Sequence, residues 1–363
     1  MFYIDRRLLE NVDWLLLATA GGALSLGALT LANLTVSRAA GGLVLRQLLW
    51  IGIGAVALVI VASFDYRTLV RAAPVFYLLG ILGLVAVFAI GRSVSGARRW
   101  IPVGPFTVQP AELFKLAFVL MIVWVLTSRW AQPVGKAALG LAAAVFAVPF
   151  VLIVKQPDLG TALVLLPVLA LLLVGAGIRL RLLGGLGLAG LSVMPLVWFV
   201  LKDYQRERFL VYLDPYRDPL GTAYNVIQAK IAIGSGQLLG KGIAGATQSR
   251  LAFLPERHTD FIFAVFAETW GFVGCLLLIV CYAILVTRGF EIAATAREPL
   301  GRLVAIGATA LLATQTLVNL GMVTGLLPIV GIPLPMMSYG GSSMMVSMMA
   351  LGLLLSVRMR QFA

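Results

Sequence analysis

Apolar residues in this chain gather into ten long runs separated by polar breaks. The runs cover 14–35, 44–64, 73–91, 111–128, 137–154, 160–178, 181–201, 261–287, 302–323 and 342–357. A helix needs about 20 mostly apolar residues to cross the hydrocarbon core of a bilayer, so each run predicts a membrane-spanning helix. Pro149, Pro167 and Pro195 fall inside runs, which membrane helices tolerate when neighbours satisfy the freed backbone groups. The expected fold is an all-α polytopic membrane protein with ten transmembrane helices. One break far exceeds the others: residues 202–260, between the seventh and eighth runs. Connections of that length are uncommon unless they carry function. This one mixes charges and aromatics and has an amphipathic pattern around 222–233 that predicts a short helix. Two further polar stretches stand out. Residues 92–110 are rich in Gly, Pro and Arg, and 324–341 carry no charge but contain Pro328, Pro333 and Pro335. The chain, 1–363, reads as a single integral membrane domain with a long extracytoplasmic loop at 202–260.

Composition agrees. Hydrophobic residues make up 61% and charged residues 12% of the chain, where a soluble domain carries roughly 25% charged residues. The net charge of +13 comes from Lys and Arg placed in short tracts between apolar runs. That placement points to membrane topology and anionic lipid headgroups rather than nucleic acid. With the N-terminus inside, the cytoplasmic breaks hold 13 Lys and Arg and the short outer ones hold 6, which places both termini in the cytoplasm. Asp5, Arg6, Arg7 and Glu10 precede a first run too long for a signal h-region, so that run is expected to stay as an anchor. Cys275 and Cys281 share one run, over ~7 Å apart along a helix, and cannot bridge each other.

The densest chemistry lies at the end of the long loop: Pro255-Glu256-Arg257-His258-Thr259-Asp260, immediately before the eighth run. A carboxylate at the lip of a membrane helix is partly desolvated, so its basicity responds strongly to its neighbours. The plainer alternative is an ordinary polar helix start, with Thr259 or Asp260 as N-cap. Glu112 and Lys115 sit three apart at the start of the fourth run, share a helix face and are expected to pair, with Pro110 in the first turn. Asp158, after Lys155, either caps the sixth run or works in the site. The glycine-rich stretch 234–242 looks like a phosphate loop but fails as one. Its Gly-Lys spacing is off by one, and Gly242 replaces the hydroxyl that would hold Mg²⁺. A single histidine with no Cys/His cluster argues against a zinc centre, and a serine-hydrolase elbow is missing.

Five stretches, in order along the chain, resemble the SEDS family of shape, elongation, division and sporulation membrane proteins. They are Gly96–Ile101, Gln109–Lys115, Gln156–Ala162, Leu254–Val265 and Ser338–Ser342. Within the family, Gln248-Ser249-Arg250 through Glu256-Arg257-His258 is more similar to the elongation branch, the RodA type, than to the division branch. Glu268-Thr269 departs from the two acidic residues that many members carry there.

The resemblance implies a peptidoglycan glycosyltransferase that polymerises lipid II at the outer face of the bacterial cytoplasmic membrane. It also implies a class B penicillin-binding protein as partner. An α-linked diphosphate donor giving a β-1,4 product needs one inverting displacement and a general base for the acceptor hydroxyl, for which Asp260 is the candidate. Cations must hold the leaving diphosphate. Arg98, Lys115, Lys155, Arg206, Arg208, Lys241 and Arg257 are the candidates. Trp100, Glu112, Asp158, Gln248, Ser249, His258 and Ser338 complete the expected substrate-binding set. A divalent cation, Mg²⁺ or Mn²⁺, is the other means of holding that charge, and the residues leave the choice open. Two other functions stay in view. A lipid II flippase needs a polar path across the bilayer, whereas the acids away from the inner loops cluster at the outer lip. A non-catalytic scaffold for the penicillin-binding protein has no need of Asp260.

Overall fold

The computed structural model describes residues 10–35, 41–94, 97–104, 106–128, 135–179, seven positions within 181–192, 203–219, 221, 223–246 and 256–361. Nine of the ten apolar runs are helices. They are α1 (Trp14–Thr35), α2 (Gly41–Ser63), α4 (Ala73–Ile90), α5 (Pro110–Thr127), α6 (Lys136–Lys155), α7 (Leu159–Gly175), α11 (Ile262–Thr295), α12 (Pro299–Thr324) and α13 (Gly341–Met359). The run at 181–201 lies mostly outside the described residues. A short α3 (Tyr66–Arg71) joins α2 to α4. The long loop contributes α8 (Asp203–Leu213), α9 (Tyr224–Ser235) and the single turn α10 (Gly242–Gly245). In α9, buried Val226, Ala229 and Ala232 form the apolar face that the amphipathic pattern predicts.

Three helices make the middle of the bundle: within an 18-residue apolar stretch of each, 72% of α5, 78% of α12 and 83% of α13 is buried, against 17% of α2 and α4. The peripheral helices turn Leu45, Val56, Leu78 and Leu82 outward, as helices facing lipid do. Polar residues of the central helices, Glu112, Lys115, Gln315 and Asn319, point inward and are buried. Small residues let the helices approach: Gly307 of α12 meets Val119 of α5, and Gly352 of α13 meets the Leu58 carbonyl of α2.

The two ends of the bundle differ. At one end, ion pairs clasp the helices: Arg288 to Asp13 at 2.6 Å and Arg67 to Glu298 at 2.8 Å. There Arg360 donates to the Ala62 and Ser63 carbonyls, and Gln361 to the Ile292 carbonyl. At the other end lie the N-termini of α5, α7, α11 and α13. The chain stands at the clasped end at Gly175, which packs on Leu303 and Ile306 near the start of α12. It is back at the other end by Arg208 and Tyr212, which donate to the Ile329 and Leu326 carbonyls.

Two local features were not read from the sequence. Within 92–110, β1 (Arg92–Val94), β2 (Ala97–Val103) and β3 (Phe106–Val108) form an antiparallel sheet in the order β1-β2-β3. Three-residue strands bounded by Gly and Pro have too little alternation to read, and pairing with β2 is what defines them. The eighth span, α11, is broken at Gly271 (φ 65°, ψ −164°). A lone glycine inside an apolar run is common in membrane helices and does not announce a break.

Candidate functional site

Asp260 sits in a turn, Glu256–Phe261, that delivers the chain into α11. The turn is held from three sides. Within it, the Thr259 hydroxyl donates to the Glu256 carboxylate at 3.0 Å and Phe261 N–H donates to the Glu256 carbonyl. From the 324–341 connection, the Ser338 hydroxyl donates to the Thr259 carbonyl at 2.7 Å, and Tyr339 N–H donates to the His258 carbonyl at 2.9 Å. From α12, the Asn319 amide bridges the Asp260 carbonyl (2.9 Å) and the Ile332 carbonyl (2.6 Å). These bonds fix the backbone of Asp260 and leave its carboxylate free of a capping role. The N-cap of α11 is Phe261, with no side-chain bond, so neither Thr259 nor Asp260 starts the helix. That removes the plainer reading of this motif. Oδ2 of Asp260 faces Gly331, where a Cβ would stand 3.2 Å from it and where φ is +70°.

A second carboxylate, Asp158, is buried at the N-cap of α7. It accepts from Thr161 N–H (3.3 Å), the Thr161 hydroxyl (3.0 Å) and the Gln109 amide (2.6 Å), with Arg99 at 3.6 Å. The capping role expected of Asp158 is present, and the same carboxylate is a partner of Arg99. Gln109 N–H donates in turn to the Ser342 hydroxyl at the start of α13. One turn into α5, Glu112 and Lys115 are buried and paired at 2.7 Å, with Pro110 at the first helical position as expected.

The electrostatics single out Asp260. Burial pushes its carboxyl up to about 7 from the ordinary 3.8, Glu256 and Asp158 push the same way, and Arg99 and Arg208 oppose them. Burial also lowers Arg257 and His258 from their ordinary values, the latter against Glu256. Asp260 keeps a solvent-reachable edge. The site therefore offers a carboxylate poised near neutrality and within the field of two guanidinium groups. Among the described residues, no three His, Cys, Asp or Glu side chains converge on one point. Mg²⁺ is commonly held by one or two carboxylates together with substrate phosphates. Asp260 and Glu256 fit such an ion only if substrate oxygens complete its shell.

The remaining predicted residues divide. Arg208, Arg257, His258 and Ser338 line the Asp260 turn or bond to its neighbours. Arg206 lies two residues from Arg208 on α8. Trp100 is half-buried on β2, whereas Arg98 on the same strand is exposed, as is Lys155 at the end of α6. Lys241 lies with Glu268 at 3.8 Å, eight residues beyond Asp260. Gln248 and Ser249 lie outside the described residues. Sequence reasoning chose Arg98 where the structure puts Arg99 on Asp158. Neighbours on a strand point to opposite faces, and without the strand the two arginines cannot be told apart. Gln109, Asn319, Gly331 and Ser342 were also missed. Asn319, a polar residue deep in an apolar run, was the one with a readable signal.

Beside Gln109, an apolar cavity of about 470 Å³ runs between α2, α4, α5 and α13. Val108 and Pro110 form its edge toward the polar site, and Phe114, Leu120, Met349 and Leu353 line it further along.

The comparisons with known proteins agree in family. The model for the FtsW/RodA/SpoVE family, described as cell cycle protein, matches residues 9–362. The peptidoglycan glycosyltransferase MrdB of Escherichia coli strain K12 is 43% identical over 317 residues, 87% of this chain and 85% of that one. A chain in the solved structure of a peptidoglycan synthase complex, described as coordinating polymerization and crosslinking, is 34% identical. It superposes with a TM-score of 0.82 over 97% of this chain and 98% of its own. A mutant of the rod shape determining protein RodA of Thermus thermophilus is 30% identical, with a TM-score of 0.73 over 97% and 99% of the two chains.

Proposed function

Because the chain belongs to the FtsW/RodA/SpoVE family, the SEDS membrane proteins, we propose that it is a peptidoglycan glycosyltransferase polymerising lipid II during cell-wall elongation, with Asp260 as general base. The observation that carries the assignment of the base is the state of Asp260: fixed by its backbone, free of a capping duty and pushed up to about 7. A general base works best when its pKa lies near the operating pH. The Asp260 carboxylate takes the proton of the acceptor 4-hydroxyl as that oxygen forms its bond to the donor's anomeric carbon. The bond from that carbon to the diphosphate oxygen breaks on the opposite face, so the α-linked donor yields a β-1,4 link in one step.

The leaving diphosphate carries its charge away without an obligatory proton. Arg99 and Arg208, whose charges act on Asp260, are our candidates for holding it. A bound Mg²⁺ or Mn²⁺ would add charge neutralisation at the diphosphate, and Asp260 and Glu256 are the side chains that would reach it. The apolar cavity beside Gln109 suits a polyprenyl chain, which would lie along α4 and α5 while its headgroup enters the polar site.

In this reading the protein resides in the bacterial cytoplasmic membrane with the Asp260 end outside and both termini in the cytoplasm, in line with the 13 to 6 distribution of Lys and Arg. Its partner is a class B penicillin-binding protein that crosslinks the nascent strands. A flippase is disfavoured because the Asp260 cluster lies at one end of the bundle, where a transporter's site sits near the bilayer midplane.

Asp260→Asn tests the assignment. Asparagine keeps the shape and the backbone bonds but accepts no proton. Polymerisation of purified lipid II, read as glycan on a gel, is expected to fall ~10² to 10⁴-fold, with lipid II binding retained. Near wild-type polymer from the variant would move the base to Glu256 or Asp158.

A further inference from the structure

The broken helix α11 is closed by the same glycine-rich stretch that fails as a phosphate loop. Gly271 separates a nine-residue half-helix, Ile262–Trp270, from the rest of the span. A break within a bilayer frees peptide groups that water cannot satisfy. Residues 236–241 satisfy them. Phe272 N–H donates to the Gln237 carbonyl at 2.8 Å, Val273 N–H to the Leu238 carbonyl at 3.1 Å, and Lys241 N–H to the Glu268 carbonyl at 2.9 Å.

Three glycines permit the approach. A Cβ at Gly236 would stand 2.1 Å from the Ala267 oxygen, one at Gly240 2.2 Å from the Thr269 oxygen, and one at Gly271 2.2 Å from the Gly240 nitrogen. Gly240 also holds a φ of +80°. On this seam lies the Glu268 carboxylate, at 0% exposure, with Lys241 Nζ 3.8 Å away.

We infer that Glu268 and Lys241 are positioning residues for Asp260, acting through the half-helix between them. The inference rests on the glycosyltransferase reading given above. Asp260 stands at one end of this rod and the seam at the other, a lever of about 13 Å. A tilt of about 5° at the seam moves Asp260 by about 1 Å, and a misplacement of that size costs ~10² in rate. Asn319 and Ser338 pin the Asp260 end, and the seam pins the far end. Lys241 then serves the reaction by neutralising Glu268 and anchoring the loop, with no contact to the diphosphate.

The test pairs variants of the full chain. Lys241→Met removes the cation beside a buried carboxylate, and Glu268→Gln removes that carboxylate's charge while keeping its shape. Lys241→Met is expected to lower turnover ~10-fold or more, with KM for lipid II within about twofold. Lys241→Arg stays near wild type, and the double variant Lys241→Met/Glu268→Gln recovers most of the lost turnover. Recovery is the discriminating result, because a lysine that held the diphosphate could not be replaced by removing Glu268. A double variant as defective as Lys241→Met, or a KM raised along with the loss, overturns the inference.

An arm independent of catalysis reads amide hydrogen exchange across residues 256–266. Exchange is expected to quicken in Lys241→Met and in Gly240→Ala and to slow again in the double variant. Unchanged exchange in both of the first two overturns positioning, whatever the polymer assay shows. Wild-type protein that makes no glycan sinks the glycosyltransferase reading, and the exchange arm still decides whether the seam fixes the Asp260 turn.

Discussion

Asp260 is held by its backbone and tuned by its surroundings, and the two can be tested separately. Its carboxyl is pushed up to about 7 by burial and then by Glu256, against Arg99 and Arg208. Only the ionised form accepts the acceptor proton, so initial rates of polymerisation should rise with pH through about 7 and level off above it. Glu256→Gln keeps an oxygen for the Thr259 hydroxyl but removes the negative charge that helps raise Asp260. The rising limb of the pH–rate profile should then move to lower pH. A limb that stays in place would show that Glu256 does not act on the base. The raised value also has a sign for stability. The fold favours the protonated carboxyl relative to the unfolded chain, so the native state loses stability as pH rises from the ordinary 3.8 to about 7 and bears the full cost above that. Asp260→Asn carries no such cost and should melt no earlier than wild type at alkaline pH, as calorimetry or differential scanning fluorimetry would show.

At the scale of elements, α5 joins the polar site to the core. Glu112 and Lys115 are one helical turn apart, buried and paired at 2.7 Å, while Oε2 of Glu112 has no hydrogen-bond partner among the described residues. A buried ion pair is weak evidence of net stabilisation, but breaking it strands a charge at a cost of ~3–5 kcal/mol. Glu112→Ala and Lys115→Ala should each lower both thermal stability and glycan yield. The double variant should cost less than the sum of the two. Full additivity in melting temperature would show that the two side chains do not depend on one another. The same helix begins at Gln109, which holds Asp158 through its amide and Ser342 through its backbone. Tilting α5 would therefore disturb the entries of α7 and α13 as well.

For the whole molecule, the separation of the two ends is the property that function requires. The Asp260 cluster lies at one end, and the clasps Arg288–Asp13 and Arg67–Glu298 lie at the other. In a Cys275→Ser, Cys281→Ser background, a cysteine at Tyr216, which is 81% exposed, should react with an impermeant thiol reagent added outside cells. One at Arg297 should react only after lysis. The reverse pattern would put the site on the cytoplasmic face. Polymerisation should also rise when a cognate class B penicillin-binding protein is co-purified, and equal rates with and without it would rule out activation by that partner.

The sequence by itself determined the spans, because one-dimensional hydropathy is what a bilayer selects. Nine predicted runs reappear as helices, eight of them within three residues at each end, while the helix of the run at 261–287 continues to Thr295. It also determined the Glu112–Lys115 pair and the amphipathic α9, since both depend on helical spacing alone. The five ordered motifs carried the family. Tertiary structure alone decided which of two adjacent arginines meets Asp158, because that depends on a strand defined only by its pairing. It alone showed that Asp260 caps nothing, since Phe261 starts the helix and Asn319 holds the turn from α12. It alone brought Lys241 to Glu268, because the loop that carries it folds back onto a break at Gly271. In each case the deciding contact joins residues far apart in the chain, and local pattern has no access to such contacts.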